Sequence, residues 1–278
     1  MTTQVYLLVL TAALLHAGWN AVVKSSSDGL IRLTLLHVVV GVAALFFLPF
    51  IGFPAGPSWP YLIASVFIHC GYYLFLVQSY RFGDLSQVYP VARGSAPLPV
   101  AIGSFVLESE SIHPLGLFGV FLVSTGILTL CSAGQLNRAI FFAFCTGLSI
   151  AAYTLVDGIG GRLSEDVYAY IVYLFLLEPI PILIFTWQRR KGQILATFRM
   201  DWASILAGGL MTATAYGIVI WAMSTTPMAY VSALRETSVI FATLLGLIVF
   251  REPLGRRRII ASVIVVIGAI LLQWNADS

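Results

Sequence analysis

The length of the apolar runs constrains this chain more than any other feature. Strongly apolar stretches of about twenty residues recur along nearly all of the 278 positions, and about twenty residues carry an α-helix across a hydrocarbon core. A membrane-spanning β-strand would instead alternate in character over about ten residues, and these runs do not alternate. Hydrophobic residues make up 59% of the chain and charged residues 10%. A soluble domain carries about 25% charged residues, so this chain cannot coat a water-facing surface. Mean hydropathy is +0.93. The expectation is an all-α integral membrane protein.

Ten transmembrane helices are predicted. The first five are Val5–Val23, Ile31–Phe53, Pro60–Tyr80, Ser86–Leu107 and Pro114–Leu130. The second five are Ala139–Ile159, Val167–Trp187, Trp202–Met223, Met228–Val249 and Leu254–Gln273. The first run has no basic segment before it and reaches Trp19 and Asn20 without a small-residue cleavage site, so it reads as a retained helix. Connections are short and rich in turn formers, as at Pro54-Ala55-Gly56-Pro57 and Arg81-Phe82-Gly83-Asp84. Cys70, Cys131 and Cys145 lack metal-ligand spacing and read as packing residues.

The sequence repeats itself. A constant spacing of 142 takes Arg93 to Arg235, Ser95 to Thr237, Glu110 to Glu252, Gly126 to Gly268 and Leu130 to Leu272. Nearer the start of each half a spacing of 134 sets Trp19 opposite Tyr153 and Asn20 opposite Thr154. Residues 1–133 and 134–278 thus form two units of five spans each. An odd number of spans makes the second unit enter the membrane upside down, giving two inverted five-helix repeats. Secondary transporters use this plan and place the substrate near the midplane between the halves. Loop charges carry the same alternation. Twelve of the fifteen Lys and Arg residues fall in or beside the loops after odd-numbered spans, and only Arg162 falls on the opposite side. By the positive-inside rule both termini face outward.

The helix–Glu–helix junctions at Phe105-Val106-Leu107-Glu108-Ser109-Glu110 and Leu247-Ile248-Val249-Phe250-Arg251-Glu252-Pro253 resemble those of the drug/metabolite transporter superfamily. So do the glycine-bearing last spans around Gly126 and Gly268, and Trp19-Asn20 in span 1. The whole chain is similar to the ten-helix EamA-type branch. That resemblance implies a central cavity between the halves and alternating access. It also implies substrates such as amino acids, nucleotide sugars, sugar phosphates or choline. Members of the family have cytoplasmic termini, whereas the charge bias here places them outside.

Ionisable groups inside spans are costly and therefore candidates for function. Arg93 and Arg235 sit at equivalent mid-span positions, and their guanidinium forks suit a carboxylate, phosphate or phosphonate. The alternative is that they pin helices together through carbonyls or Glu236. Glu236 has three readings: partner of a substrate ammonium, carrier of a coupled proton, or neutraliser of an arginine. Glu178, followed by Pro179 and Pro181, is either a proton-coupling carboxylate or the ion-pair partner of Arg93 or Arg235. His69, with Tyr72 and Tyr73 a turn further on, joins the candidates, while His16 and His37 are expected to hydrogen-bond within the bundle. Asp157 is expected to be solvated. Trp19, Asn20, Tyr153, Tyr216 and Trp221 are candidate cavity walls, with packing or lipid-interface roles as the alternative. Glu110 and Glu252 are expected to serve the N-termini of spans 5 and 10. Glycines such as Gly116, Gly119, Gly208, Gly209 and Gly246 read as close-packing positions.

No metal site, cofactor or nucleic-acid partner is expected, and no Walker lysine motif, G-x-S-x-G or H-E-x-x-H occurs. The expected function is secondary transport or exchange of a small anionic or zwitterionic, amino-acid-like metabolite. Phosphorylated or phosphonate metabolites are the second choice, and a lipid flippase or a membrane-embedded enzyme the third. The expected partners are the substrate, the lipid bilayer and a proton as coupling ion, with monomer and homodimer both open. The expected location is a cell inner membrane of bacterial type, crossed many times.

Overall fold

The computed structural model describes residues 1–83, 85–110, 112–129, 138–248 and 256–274, and every regular element among them is helical. Spans 1, 2 and 3 are α1 (Thr3–Lys24), α2 (Gly29–Phe47) and α3 (Trp59–Phe82). Span 4 is split into α4 (Leu85–Gly94) and α5 (Pro97–Glu108), and span 5 is α6 (Pro114–Leu128). Span 6 is α7 (Arg138–Leu163), and span 7 is α8 (Val167–Leu177) followed by α9 (Pro179–Arg189). Span 8 is α10 (Gln193–Thr225); span 9 is split into α11 (Met228–Arg235) and α12 (Ser238–Ile248); span 10 is α13 (Arg256–Trp274). Among the described residues six segments are long and apolar enough to cross a membrane, and the segments of α6 and α13 are shorter but apolar. The expected span limits Leu130, Val249 and Leu254, together with Cys131 and Glu252, lie outside the described residues, as do the packing surroundings of Gly246.

The split spans correct the expectation of ten continuous helices. In span 4, Pro97 has no N–H to offer the Arg93 carbonyl four residues back, and its ring crowds that carbonyl. In span 9 no proline is present. There the bonds from Thr237 N to Leu234 O (3.1 Å), Val239 N to Glu236 O (3.1 Å) and Ile240 N to Thr237 O (2.9 Å) tighten the chain into a 3₁₀ stretch. A second correction concerns α10. Its first two turns were expected as loop, but they are helical up to Asp201, whose φ of −123° and ψ of 21° kink the helix before the membrane segment.

The bundle keeps its mid-span ionisable groups inside an otherwise apolar core and turns large apolar side chains outward. Phe46, Phe67 and Val106 are 73%, 68% and 67% exposed, while Arg93, Arg235, Glu178, Glu236 and Asp157 are buried. Such an apolar exterior needs lipid rather than water around it. The helices pack α3 on α7, α1 on α10, α2 on α10 and α6 on α13. Glycine permits the closest crossings. A Cβ on Gly268 would lie 2.9 Å from the Gly119 carbonyl, and one on Gly209 would lie 2.9 Å from the Leu36 carbonyl. One such crossing positions the site. At Gly41, α2 comes so near the proline pair of span 7 that a Cβ would meet Pro179 Cγ at 2.9 Å. That brings His37, one turn earlier, alongside Glu178.

Candidate functional site

A partly open cavity of about 40 Å³ lies where α1, α2, α3, α7, α8 and α10 meet. Aromatic rings make most of its wall. His69 stacks on Tyr153 with centroids 4.1 Å apart, and the Tyr216 ring stands edge-on to His69 at 5.5 Å and to Tyr153 at 5.6 Å. Trp19, Tyr72 and Tyr73 complete the aromatic side. His69 Nδ1 lies 3.0 Å from the Ser65 carbonyl, which can only accept, so Nδ1 carries the proton of that bond. The polar contribution is Glu178, whose Oε1 is 3.2 Å from His37 Nδ1; Tyr73 Oη lies 3.0 Å from that same nitrogen. Glu178 therefore pairs with a histidine and not with Arg93 or Arg235. The reason is the short α2–α9 crossing at Gly41. Among the described residues no group of three His, Cys, Asp or Glu side chains is placed to hold a metal.

Behind Tyr153 the two split spans bring the symmetric arginines onto one carboxylate. Arg93 Nε lies 2.5 Å from Glu236 Oε2, and Arg235 Nε lies 3.4 Å from Glu236 Oε1. The Arg93–Glu236 contact is an ion pair without good hydrogen-bond alignment, so its close approach and its unsatisfied polar atoms coexist. Arg235 also donates to Thr154 Oγ1 at 3.3 Å, and its guanidinium carbon lies 5.8 Å from the Tyr153 ring centroid. Two cations share one anion, and Arg93 Nη1 has no hydrogen-bond acceptor among the described residues. Both arginines end the first half of a split helix, where the C-terminal dipole favours a cation.

Asp157 overturns the expectation of a solvated carboxylate. It is 0% exposed and accepts hydrogen bonds from Tyr170 Oη at 2.9 Å and from Tyr216 Oη. It sits one helical turn beyond Tyr153 and Thr154, so it faces the bundle centre rather than the membrane surface.

Residues 137–274 match the profile of the EamA-like transporter family. The second half of the chain carries an EamA-like transporter family domain. EamA-like proteins are membrane transporters and not enzymes. A WAT1-related protein of Arabidopsis thaliana is 36% identical over 68 residues, a match spanning 24% of this chain and 18% of that protein. A solved crystal structure is similar over 100% of this chain and 99% of its own, with a TM-score of 0.75 at 16% identity, which is a likeness of fold alone.

In this EamA-like chain the structure gathers Trp19, His69, Tyr72, Tyr73, Tyr153, Glu178 and Tyr216 on one cavity. Arg93, Arg235 and Glu236 lie one ring away from it. Asn20 and Trp221 stand apart: Asn20 Nδ2 donates to the His16 carbonyl at 2.8 Å, and Trp221 packs against the core. Sequence reasoning missed Val40, Phe175 and Thr212 as wall residues, and kept His16 and His37 for bundle hydrogen bonds only. The proline pair after Glu178 was the available signal for Phe175, whose carbonyl loses its helical donor at Pro179. Glu110 does not serve its own span. It accepts from the Met228 amide that opens α11, at 3.0 and 3.1 Å, and binds Arg162 at 2.5 Å.

Proposed function

We propose that this chain is a secondary transporter or exchanger of small zwitterionic, amino-acid-like metabolites, working by alternating access between two inverted halves, residues 1–133 and 134–278. The observation that carries the substrate class is the juxtaposition of an aromatic cavity containing Glu178 with a net-cationic arginine pair one ring away. Aromatic faces and a carboxylate suit an ammonium, and the free Arg93 donor suits a carboxylate. Glu236 takes the Nε of both guanidiniums, so what remains for a ligand suits a singly charged carboxylate better than a doubly charged phosphonate. A space of about 40 Å³ holds water molecules at most, so substrate entry requires the wall rings to part.

Four features support the two-halved plan. The splits in spans 4 and 9 fall within one residue of each other at the repeat spacing. Asp28 and Asp166 cap α2 and α8 with nearly the same backbone, φ −127° and ψ 99° against φ −126° and ψ 102°. The packing of α3 on α7 becomes that of α10 on α1 when the halves are exchanged. The family match covers 137–274, close to the second half. The loop charges support an orientation with the amino-terminal end of α1 outside.

Counterflow into proteoliposomes tests the substrate class, using a labelled amino acid, its decarboxylated amine and its deaminated acid. Exchange of the amino acid alone is expected, and Arg93→Ala should abolish it while Arg93→Lys restores part, because an ammonium lacks the planar fork. Exchange of the amine in preference to the amino acid would overturn the role given to the arginines.

A further inference from the structure

The buried carboxyls of the described residues differ in what opposes their charge. Glu236 lies between two guanidiniums. Glu178 meets His37. Asp157 meets hydroxyls: Tyr170 Oη at 2.9 Å, Tyr216 Oη, and Ser65 Oγ, which itself lies 3.1 Å from His69 Nδ1. We propose that Asp157 is the proton-binding site of the transport cycle, linked to the cavity by Tyr216 and by the Ser65–His69 pair. The inference deepens the transporter reading and rests on it for its place in a cycle, though not for the site itself.

A buried carboxylate held by hydroxyl donors, with the titratable His69 near it and no guanidinium on it, lacks a permanent counter-charge, which is the arrangement that invites a proton in a membrane interior. The surroundings of Asp157 are accounted for helix by helix. From the elements packed on α7, α3 brings His69, α8 brings Tyr170 and α10 brings Tyr216. α4 and α11 carry Arg93 and Arg235, both engaged by Glu236, and the acidic side chain of α5, Glu108, is engaged by Arg162 at 3.5 Å. α7 itself adds Tyr153, whose ring lies against His69.

Tyr216 supplies the coupling. Its ring lines the cavity while its hydroxyl donates to Asp157. Substrate entering so small a space displaces wall rings, and drawing Tyr216 aside removes one donor from the ionised carboxylate. A carboxylate that loses such a donor binds its proton more tightly, so substrate and proton favour each other's binding, as linkage requires. The step is a proton transfer alone. An Asp157 O–H bond forms when substrate arrives and breaks when Tyr216 returns, with water on the open side as source and sink.

Infrared difference spectra of the full chain in lipid nanodiscs, titrated with acid and base and without any solute, test the site directly. The carbonyl band of a protonated carboxyl should titrate in the native protein, be lost in Asp157→Asn and persist in Glu178→Gln. In Tyr216→Phe its midpoint should move to higher pH. A band that survives Asp157→Asn, or a Tyr216→Phe midpoint that does not move, overturns the proposal. So does a band removed by sodium at constant pH, since the site would then take a metal cation. If Asp157→Asn does not fold, Tyr216→Phe and Tyr170→Phe carry the same test. No solute takes part, so failure of amino-acid exchange and failure of this site are read separately.

Discussion

Glu236 and Asp157 are both fully buried in the described interior, and only their company separates them. Glu236 has two arginines on it, and Asp157 has tyrosine and serine hydroxyls. The first arrangement fixes charge: an anion between two guanidiniums ties the breaks of the two split spans together. The second keeps charge optional. Burial alone therefore does not mark a functional carboxylate, because the count of opposing charges decides whether the group is a brace or a titrating site.

The largest expected effect breaks that comparison at its stronger end. Glu236→Gln leaves two guanidiniums buried without an anion, and removing one partner of a buried ion pair costs about 3–5 kcal/mol. Asp157→Asn keeps volume, accepts from one tyrosine at its amide oxygen and can donate from its amide nitrogen to the other hydroxyl once that rotates, so its melting temperature in detergent should stay near that of the native protein. If the two variants melt alike, the contrast in counter-charge has no energetic meaning.

A smaller effect sharpens the account of the arginine pair. Arg93→Ala or Arg235→Ala alone leaves Glu236 with one cation, so each should cost about 1–3 kcal/mol. Removing both strands the carboxylate and should cost more than the sum of the two, since groups sharing one partner are not additive. Additive losses would show that Glu236 is braced by something other than these arginines.

The helical class was legible because it depends on run length and composition, which the bilayer alone dictates. The symmetric arginines were legible through the spacing of 142 between Arg93 and Arg235. The positions of the splits were not. Pro97 announces one, but the split at Glu236 has no proline and arises from a 3₁₀ stretch visible only in its hydrogen bonds. Asp157 was misjudged because distance along a helix says how far a residue is from the end, not which neighbours close over it. Tyr170 and Tyr216 come from α8 and α10, 13 and 59 residues away. His37 was missed as a partner for Glu178 for the same reason: the Gly41 crossing that brings them together is a tertiary fact.

The smallest expected effect lies at the membrane surface, where Asp28 repeats the comparison in water. Its Oδ1 caps α2 through the Leu30 and Ile31 amides at 3.0 and 3.2 Å, and its Oδ2 accepts from Arg190 Nε at 2.8 Å. Partial burial pushes the carboxyl up, but the Arg190 guanidinium and the two amides pull it further down, so its pKa lies below the ordinary 3.8. A lowered pKa in the folded state means stability that is present above the unfolded value and lost as pH falls through the folded one. The partly exposed pair with Arg190 is screened by water and salt, which limits it to about 0.2–1 kcal/mol. Asp28→Asn keeps the cap, because asparagine serves that position as well as aspartate, and removes only the ionic part. The melting temperatures of native protein and Asp28→Asn should therefore differ slightly at neutral pH, differ less in high salt, and converge in acid below the ordinary aspartate value. A difference that does not change with pH would show that the ionic part contributes nothing, leaving Arg190 as an exposed charge with no hold on α2.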